Sequence, residues 1–245
     1  MKIKLSIVIP CYNEAGNLPS ILGRLRESIK SRKDVEVILV NNGSKDDTAE
    51  ILSRELIDPA FWFIRVEHVK VNQGYGFGIM SGLRAASGEF LAWTHADMQT
   101  DPADVLRAFE KLLAAGNPQT TFVKGHRVAR GPTDALLTFG MSVLASVCLG
   151  CWMEDINAQP KIFSRQFYSA LKSPPDDFSL DLYAYYLARE TGMELLLEPV
   201  NFGQRRHGEA KGGGTMLGKW RLIMRTWRYI LKLRGEIVNK RRRSN

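Results

Sequence analysis

The chain has 245 residues, 44% of them apolar and 24% charged, the balance of a folded globular protein rather than of a disordered chain. Its formal net charge of +8 is unevenly spread: from Gly218 onward there are ten Lys or Arg residues against one acid, Glu236, so that stretch carries +9 and the remainder −1. A near-neutral body excludes a uniformly basic nucleic-acid binder, and three cysteines, an odd number, fit a reducing compartment better than a disulfide framework.

Met1-Lys2-Ile3-Lys4 runs directly into Leu5-Ser6-Ile7-Val8-Ile9, an apolar run stopped by Pro10, so no leader segment is expected. Apolar residues at 18, 21, 22, 25 and 29 have a helical period. Val35–Val40 reads as a second strand, and the acids Asp46 and Asp47 before Thr48 suit the start of a helix reaching Leu56. Phe61–Val66 reads as a third strand, 76–86 as a helix, and Phe90–Thr94 as a fourth strand. Pro102 stands where a helix begins, and Thr120–Lys124 reads as a fifth strand. Strands alternating with helices predict a mostly parallel α/β sheet with right-handed crossovers.

The stretch from Ala135 to Met153 is apolar but broken by Gly140, Ser142, Ser146 and Gly150. Spanning a bilayer takes about 20 mostly apolar residues, so a buried or interfacial helix is expected. Cys148 and Cys151 form a lone CxxC there, without two further ligands for zinc, and core packing is expected. Pro160–Ser164 reads as a strand, Leu180–Arg189 as a helix and Glu194–Val200 as a strand; after Gly212-Gly213-Gly214 a last helix runs from Met216 to about Leu233, ending near Gly235. The chain therefore divides into a domain over 1–214, an amphipathic basic helix over 215–238 and a disordered basic tail over 239–245.

The most informative segment is His95-Ala96-Asp97-Met98-Gln99-Thr100-Asp101-Pro102, which follows the fourth strand. In an open α/β sheet, ligands bind at the carboxyl ends of the strands. A carboxylate and an amide two residues apart, with an imidazole two residues before the carboxylate, can converge on one divalent cation that holds a diphosphate. His95, Asp97 and Gln99 are the candidate metal residues. The expectation is that Asp97 would be the main ligand and Gln99 would assist, while His95 would ligate weakly, contact phosphate or be a loop histidine without a role. Imidazole in place of carboxylate shifts preference from magnesium toward manganese.

Four ordered pieces carry a resemblance: Ser6-Ile7-Val8-Ile9-Pro10-Cys11-Tyr12-Asn13-Glu14; Val40-Asn41-Asn42-Gly43-Ser44-Lys45-Asp46-Asp47-Thr48; Asn72-Gln73-Gly74-Tyr75-Gly76 with Gly82 and Ser87-Gly88-Glu89; and the His95–Pro102 segment. Together they resemble family 2 glycosyltransferases over residues 5 to 125. The resemblance implies a GT-A fold with a Rossmann-like nucleotide-binding half, a divalent cation (Mn2+ or Mg2+), and a nucleotide pocket lined by Pro10, Tyr12, Glu14, Asn42, Gly74 and Ala96. Tyr12 offers a stacking face. Two departures stand out: Asn41-Asn42 replaces the family's Asp-Asp, leaving uridine and guanosine donors both open, and His95 replaces the first aspartate of Asp-x-Asp.

Glu154-Asp155-Ile156-Asn157-Ala158-Gln159-Pro160-Lys161-Ile162-Phe163-Ser164-Arg165 resembles a segment of polyprenyl-phosphate sugar synthases of the dolichol-phosphate mannose synthase type, and Ser179-Leu180-Asp181 matches a later acidic position. Arg205-Arg206-His207-Gly208-Glu209-Ala210-Lys211 resembles their phosphate-contacting basic segment. The resemblance implies an inverting transferase that moves a sugar from a nucleotide-diphosphate donor to a polyprenyl phosphate, with Asp97, Asp155, Arg127, Arg206 and Lys211 as catalytic residues. A sugar hydroxyl in a polysaccharide or glycolipid is the alternative acceptor. A lipid phosphate is already anionic, whereas a hydroxyl needs a general base, for which Asp155 is the candidate; a helix or turn cap is the other reading of Asp155. A sugar-phosphate nucleotidyltransferase would carry a Gly-x-Gly-x-Arg loop where this chain has Pro10–Glu14.

In the last helix, apolar residues at 220, 223, 224, 227, 230 and 231 share one face, and Arg221, Arg225, Arg228 and Lys232 another. That pattern suits either an anionic membrane interface or a helix packed on the body with a solvated basic face. The expected setting is cytoplasmic, peripheral on the inner face of the membrane, with no nucleic-acid partner.

Overall fold

A computed structural model describes residues 2–128, 132–203 and 216–244, with backbone alone at 132–137, 216–217, 219, 221–222 and 238–244. The strands are β1 (Leu5–Cys11), β2 (Val35–Asn42), β3 (Ile64–Val69), β4 (Phe90–Trp93), β5 (Thr121–Val128), β6 (Lys161–Ser164) and β7 (Glu194–Asn201). The helices are α1 (Leu18–Ile29), α2 (Thr48–Glu55), α3 (Tyr75–Ala85), α4 (Ala103–Leu113), α5 (Pro132–Leu149), α6 (Arg165–Tyr168), α7 (Ser179–Glu190) and α8 (Met216–Ser244). One sheet has the order β3-β2-β1-β4-β6-β5-β7.

All neighbouring pairs are parallel except those of β6, which runs antiparallel to both β4 and β5. Six strands therefore end at one edge of the sheet, and β6 begins there. Strand order reverses beside β1, which lies between β2 and β4, so a ligand crevice opens at that edge. The mostly parallel α/β sheet expected from the sequence is present.

Period-2 alternation sorts the strand residues onto two faces. Leu5, Ile7, Ile9, Val35, Val37 and Leu39 pack against α1 and α4 through Leu18, Ile21, Leu25, Val105 and Phe109. Val8, Ile38, Val40, Leu91, Phe122 and Phe163 face α3 and α7. On this second face the aromatic layer of Phe122, Phe163 and Phe167 gives way, one step toward the active edge, to Trp93, Lys161 and Lys124, which lie side by side across β4, β6 and β5. A third cluster joins α5, α7 and α8 through Ala145, Leu149, Leu182, Tyr185, Ile230 and Leu233, and includes Cys148 and Cys151 in the packing role expected of them.

Two boundaries differ from expectation. The third strand, expected at Phe61–Val66, occupies Ile64–Val69, because Pro59–Phe61 forms a 3-10 turn whose start is capped by the Asp58 carboxylate accepting from the Ala60 N–H at 2.8 Å. The last helix runs past Gly235 to Ser244, across the stretch expected to be a disordered tail. An internal glycine costs only ~1 kcal/mol, and buried Leu233 and half-buried Ile237 hold the turns on either side. Its register on the body also differs: Tyr229, Ile230, Leu233 and Ile237 pack inward while Trp220 and Leu231 stay exposed.

Lys124 is fully buried, its Nζ donating to the Gly125 carbonyl at 3.0 Å and lying 5.2 Å from the Tyr185 ring centre. Burial, with Lys161 beside it, pushes its pKa down to about 7. A lysine whose folded pKa lies below its unfolded value destabilises the fold as pH drops from the unfolded toward the folded pKa. Lys124→Met should therefore be more stable than wild type at pH 7, by about 2–4 kcal/mol. The gap should close as pH rises toward 10.5, measured by chemical denaturation of both proteins across that range.

Candidate active site

The loops after β1 and β2 are tied together. Asn13 N–H donates to Ser44 Oγ at 3.1 Å, Lys45 N–H to Asn13 Oδ1 at 2.8 Å, Glu14 N–H to Thr48 Oγ1 at 2.9 Å and Ala15 N–H to Asp46 Oδ2 at 3.2 Å. Pro10, Tyr12 and Glu14 thus share one rim with Asn41 and Asn42. Glu14 Oε2 accepts from Asn17 Nδ2 at 2.6 Å.

The amides of the second motif have specific partners. Asn41 Oδ1 accepts from Ser44 N–H, and Asn42 Nδ2 donates to the Gly74 carbonyl at 2.9 Å. A carboxylate at 42 could not make that bond, because it only accepts. Gly74 has φ +118°, and a Cβ there would lie 2.3 Å from the Asp176 carbonyl; at Gly76 it would lie 2.2 Å from the Pro175 carbonyl. The glycines of the third motif admit the segment 175–177 against the start of α3, where Phe77 N–H donates to the Asp176 carbonyl at 3.0 Å.

After β4, Ala96 and Asp97 are buried. Asp97 Oδ1 accepts from Gln99 N–H at 3.1 Å, closing a turn through Met98 at φ 58°. Gln99 Nε2 donates to the Gly203 carbonyl at 3.3 Å, which leaves its Oε1 as the atom suited to a cation. The His95 ring lies 5.5 Å from Tyr75. Burial holds its imidazole below the ordinary histidine range, against the opposing pull of the Asp97 and Asp181 carboxylates, so the ring is neutral at neutral pH. A carboxylate, a neutral imidazole and an amide oxygen, were they to share one cation, would be a mixed donor set that suits manganese better than magnesium. Among the described residues no three His, Cys, Asp or Glu side chains converge as a metal cage.

On the other side of the edge, buried Asp155 grips Arg127: the Arg127 N–H donates to Oδ2 at 2.8 Å, and its Nε and Nη2 to Oδ1 at 2.9 and 2.5 Å. Asp155 has φ 42°. Asn13, Met98 and Asp155 are the non-glycine residues at positive φ among those described, and each sits in a loop at this edge of the sheet. Backbone strain of this kind collects at functional sites.

A family model, described as Glycosyl transferase family 2, matches residues 6–141, more than half the chain. The chain belongs to that family. An undecaprenyl-phosphate 4-deoxy-4-formamido-L-arabinose transferase of Pseudomonas fluorescens is 28% identical over 84% of this chain, which spans 59% of that relative's length. A dolichyl-phosphate beta-glucosyltransferase of Trichomonas vaginalis is 26% identical over 82% of this chain and 66% of its own. Among solved structures, glucosyl-3-phosphoglycerate synthase of Mycobacterium tuberculosis, in complex with Mn2+, uridine diphosphate and phosphoglyceric acid, superposes with a TM-score of 0.68 at 22% identity, covering 95% of this chain and 78% of that one. The likeness confirms the GT-A-type α/β fold.

Between the two rims lies a group whose members fall in the quoted motifs but whose pairing the motifs did not show. Lys161 Nζ sits 2.7 Å from Asp181 Oδ1 and donates to the carbonyls of Ile156 and Ala158 at 3.0 and 3.1 Å. The same Asp181 oxygen accepts from Trp93 Nε1 at 3.0 Å and Gln159 Nε2 at 2.8 Å, and Gln159 Nε2 lies 3.2 Å from the Tyr75 hydroxyl. Tyr75 stacks on Phe178 at 4.5 Å. A sequence signal existed for Lys161 and Lys124: each is a charge beside a pair of apolar strand residues, Ile162 and Phe163 in β6 and Phe122 and Val123 in β5. Of the expected site residues, Arg206 and Lys211 lie outside the described residues. Asn42 Nδ2 is taken by the Gly74 carbonyl, while Asn42 Oδ1 has no hydrogen-bond partner among the described residues; the other expected residues lie along the two rims.

Breaking one partner of a buried pair strands the other charge. Lys161→Met should lower stability by about 3–5 kcal/mol, while Lys161→Met combined with Asp181→Leu should recover most of that loss. Urea melts of the two variants check this, and a double variant as unstable as the single would exclude the pairing as the cause.

Proposed function

We propose that this chain is an inverting glycosyltransferase that moves a sugar from a nucleotide-diphosphate donor to a polyprenyl phosphate. The observation that carries the reading is the arrangement of two rims at one sheet edge: a nucleotide-type rim of Tyr12, Glu14 and the Asp97 turn, and an acceptor-side rim of Arg127 and Asp155. The named relatives, which act on undecaprenyl and dolichyl phosphates, support the acceptor class.

In this reading Tyr12 stacks on the base and Glu14 takes a ribose or base donor. Asp97 and Gln99 Oε1, with neutral His95, would hold a divalent cation, which supplies positive charge for the departing nucleoside diphosphate. Arg127, with Arg206 and Lys211, meets acceptor or donor phosphate oxygens. Attack on the anomeric carbon from the face opposite the leaving group inverts its configuration. The three hydrogen bonds from Arg127 occupy Asp155, which favours an acceptor that needs no general base. A phosphate is such an acceptor and a sugar hydroxyl is not.

Among the described residues no helix is long and apolar enough to cross a membrane. Peripheral placement on the inner membrane face is supported by exposed Trp220 and the exposed cations Arg225, Arg228 and Lys232 of α8.

The test is a panel of UDP- and GDP-sugars with Mn2+, with and without undecaprenyl phosphate in detergent. Product should form only with the lipid phosphate and with inverted anomeric configuration. Asp97→Ala should lower transfer by roughly a hundredfold or more, and transfer to free sugar hydroxyls but not to lipid phosphate would overturn the reading. His95→Asp should shift the preferred ion from manganese toward magnesium, read from the ratio of activities with the two metals.

A further inference from the structure

The sheet ends at β3 on one side and at β7 on the other, and the two edges differ. β7 carries Pro199, and Lys111 Nζ donates to its Leu197 carbonyl; proline and lysine on an edge strand guard against pairing with another chain. β3 has no proline. Its free main-chain groups follow from its ladder with β2. The Val37 N–H donates to the Phe63 carbonyl at 2.8 Å, and Val37 pairs with Ile64. In a parallel ladder this turns the N–H and C=O of Arg65 and Glu67 toward β2, and those of Ile64, Val66 and His68 away from it. Among the described residues none of these outward groups makes a backbone hydrogen bond.

An open edge of this kind fits an added strand, and the side chains specify which one. An antiparallel second copy centred on Val66 sets Val66 opposite Val66 and Ile64 opposite His68, so that outward groups meet outward groups. The same register sets Arg65 opposite Glu67 of the second copy, once on each side of the twofold axis. These are non-hydrogen-bonded pairs, in which facing side chains come closest, and opposite charges there are favourable. Centring the pair on Arg65 or Glu67 would set like charges against each other. Centring it on Ile64 or His68 would face Arg65 with Phe63 or Val71. Arg65 spends Nη2 on Glu36 at 2.8 Å and on the Ala85 carbonyl at 2.7 Å, but half of its side chain is exposed and its guanidinium has further N–H groups. Beyond the strand ends, the register runs the stretch around Trp62 (52% exposed) alongside that around Val71 (69%) of the second copy. A strand of unrelated sequence would match these features only by chance, whereas this chain matches itself. We propose that two copies of this chain join through their β3 edges, antiparallel about Val66, into one continuous sheet.

The twofold axis of such a pair stands perpendicular to the sheet. α3 and α7 of both copies therefore stay on one side, and the two active edges lie at opposite ends of the joined sheet, each open. The contact also reaches a motif loop. Val71 lies against Gly43, where a Cβ would stand 2.7 Å from the Val71 carbonyl carbon, so covering Val71 would steady the loop that follows Asn42.

The test is sedimentation velocity of the full chain over about a hundredfold range of concentration, without donor or acceptor, so its outcome is independent of the transfer assay. Wild type should pass from monomer to dimer as concentration rises. Arg65→Glu and Glu67→Arg, each alone, set like charges opposite one another and should weaken dimerisation roughly tenfold or more. Mixing these two variants should restore it, because every facing pair in the mixed dimer is again of opposite charge. Val66→Pro removes an N–H that points away from β2, which leaves the ladder intact, and should give a monomer. Glu194→Arg, on the opposite edge strand, should leave the dimer unchanged. Circular dichroism checks the fold of each variant. Where Arg65→Glu loses stability with its Glu36 bond, Glu67→Arg and Val66→Pro, which keep that bond, carry the test. A wild type that stays monomeric throughout, a dimer that survives Val66→Pro, or two well-folded charge variants that fail to recover on mixing would overturn the proposal.

Discussion

The ion pair of Lys161 and Asp181 is the interaction on which the site depends. It stands where the aromatic layer of the sheet gives way to the active edge, and both residues are fully buried. Removing two charges from water is costly, and apolar residues of similar volume often serve stability as well. What apolar residues could not do is hold four elements in one register. Asp181 comes from α7, Lys161 from β6, Trp93 from β4 and Tyr75, through Gln159, from α3. Lys161 also fixes the carbonyls of Ile156 and Ala158, in the segment between Asp155 and Gln159. The loop that grips Arg127 and the strand that leads to His95 and Asp97 are therefore positioned by one pair.

Much of the sheet was legible because its strands carry short apolar runs between helical periods, and the two motif loops announce themselves through Asn, Gly, Asp and Thr. The pairing at the centre was not legible. Lys161 finds Asp181 only because β6 runs against its neighbours, and periodicity carries no strand direction. Trp93 and Asp181 are 88 positions apart, beyond any local spacing. The misplaced start of β3 has a local cause, the turn set by Asp58 and Pro59. The overlong α8 has a tertiary one, since packing against α5 and α7 outweighs the propensity of Gly235. The inward phase of α8 could not be read either, because its helical pattern offers two apolar sides and only the body decides which is buried.

The departures from the family pattern also have physical content. Asn42 is an amide where a carboxylate is usual, and its N–H group closes onto Gly74, joining the end of β2 to the start of α3. The space where side chains at Gly74 and Gly76 would lie is filled by the backbone of 175–177. His95 leaves the rim one negative charge short of an Asp-x-Asp site. It lies half-buried against Tyr75, near Lys161 and Arg127, where the neutral imidazole is the favoured form.

The reversed direction of β6 divides the chain into two inheritable halves. The loops after β1, β2 and β4 build the rim proposed to face the nucleotide. β5, α5 and the segment leading into β6 build the opposite rim, and the two meet along the short β4–β6 ladder from Phe90–Ser164 to Trp93–Lys161. A chimera that keeps Trp93, Gln159, Lys161 and Asp181 but exchanges residues 129–158 would retain the seam. On the proposed function, the half facing the acceptor could thus diverge, by recombination or by design, without the half facing the nucleotide having to change with it.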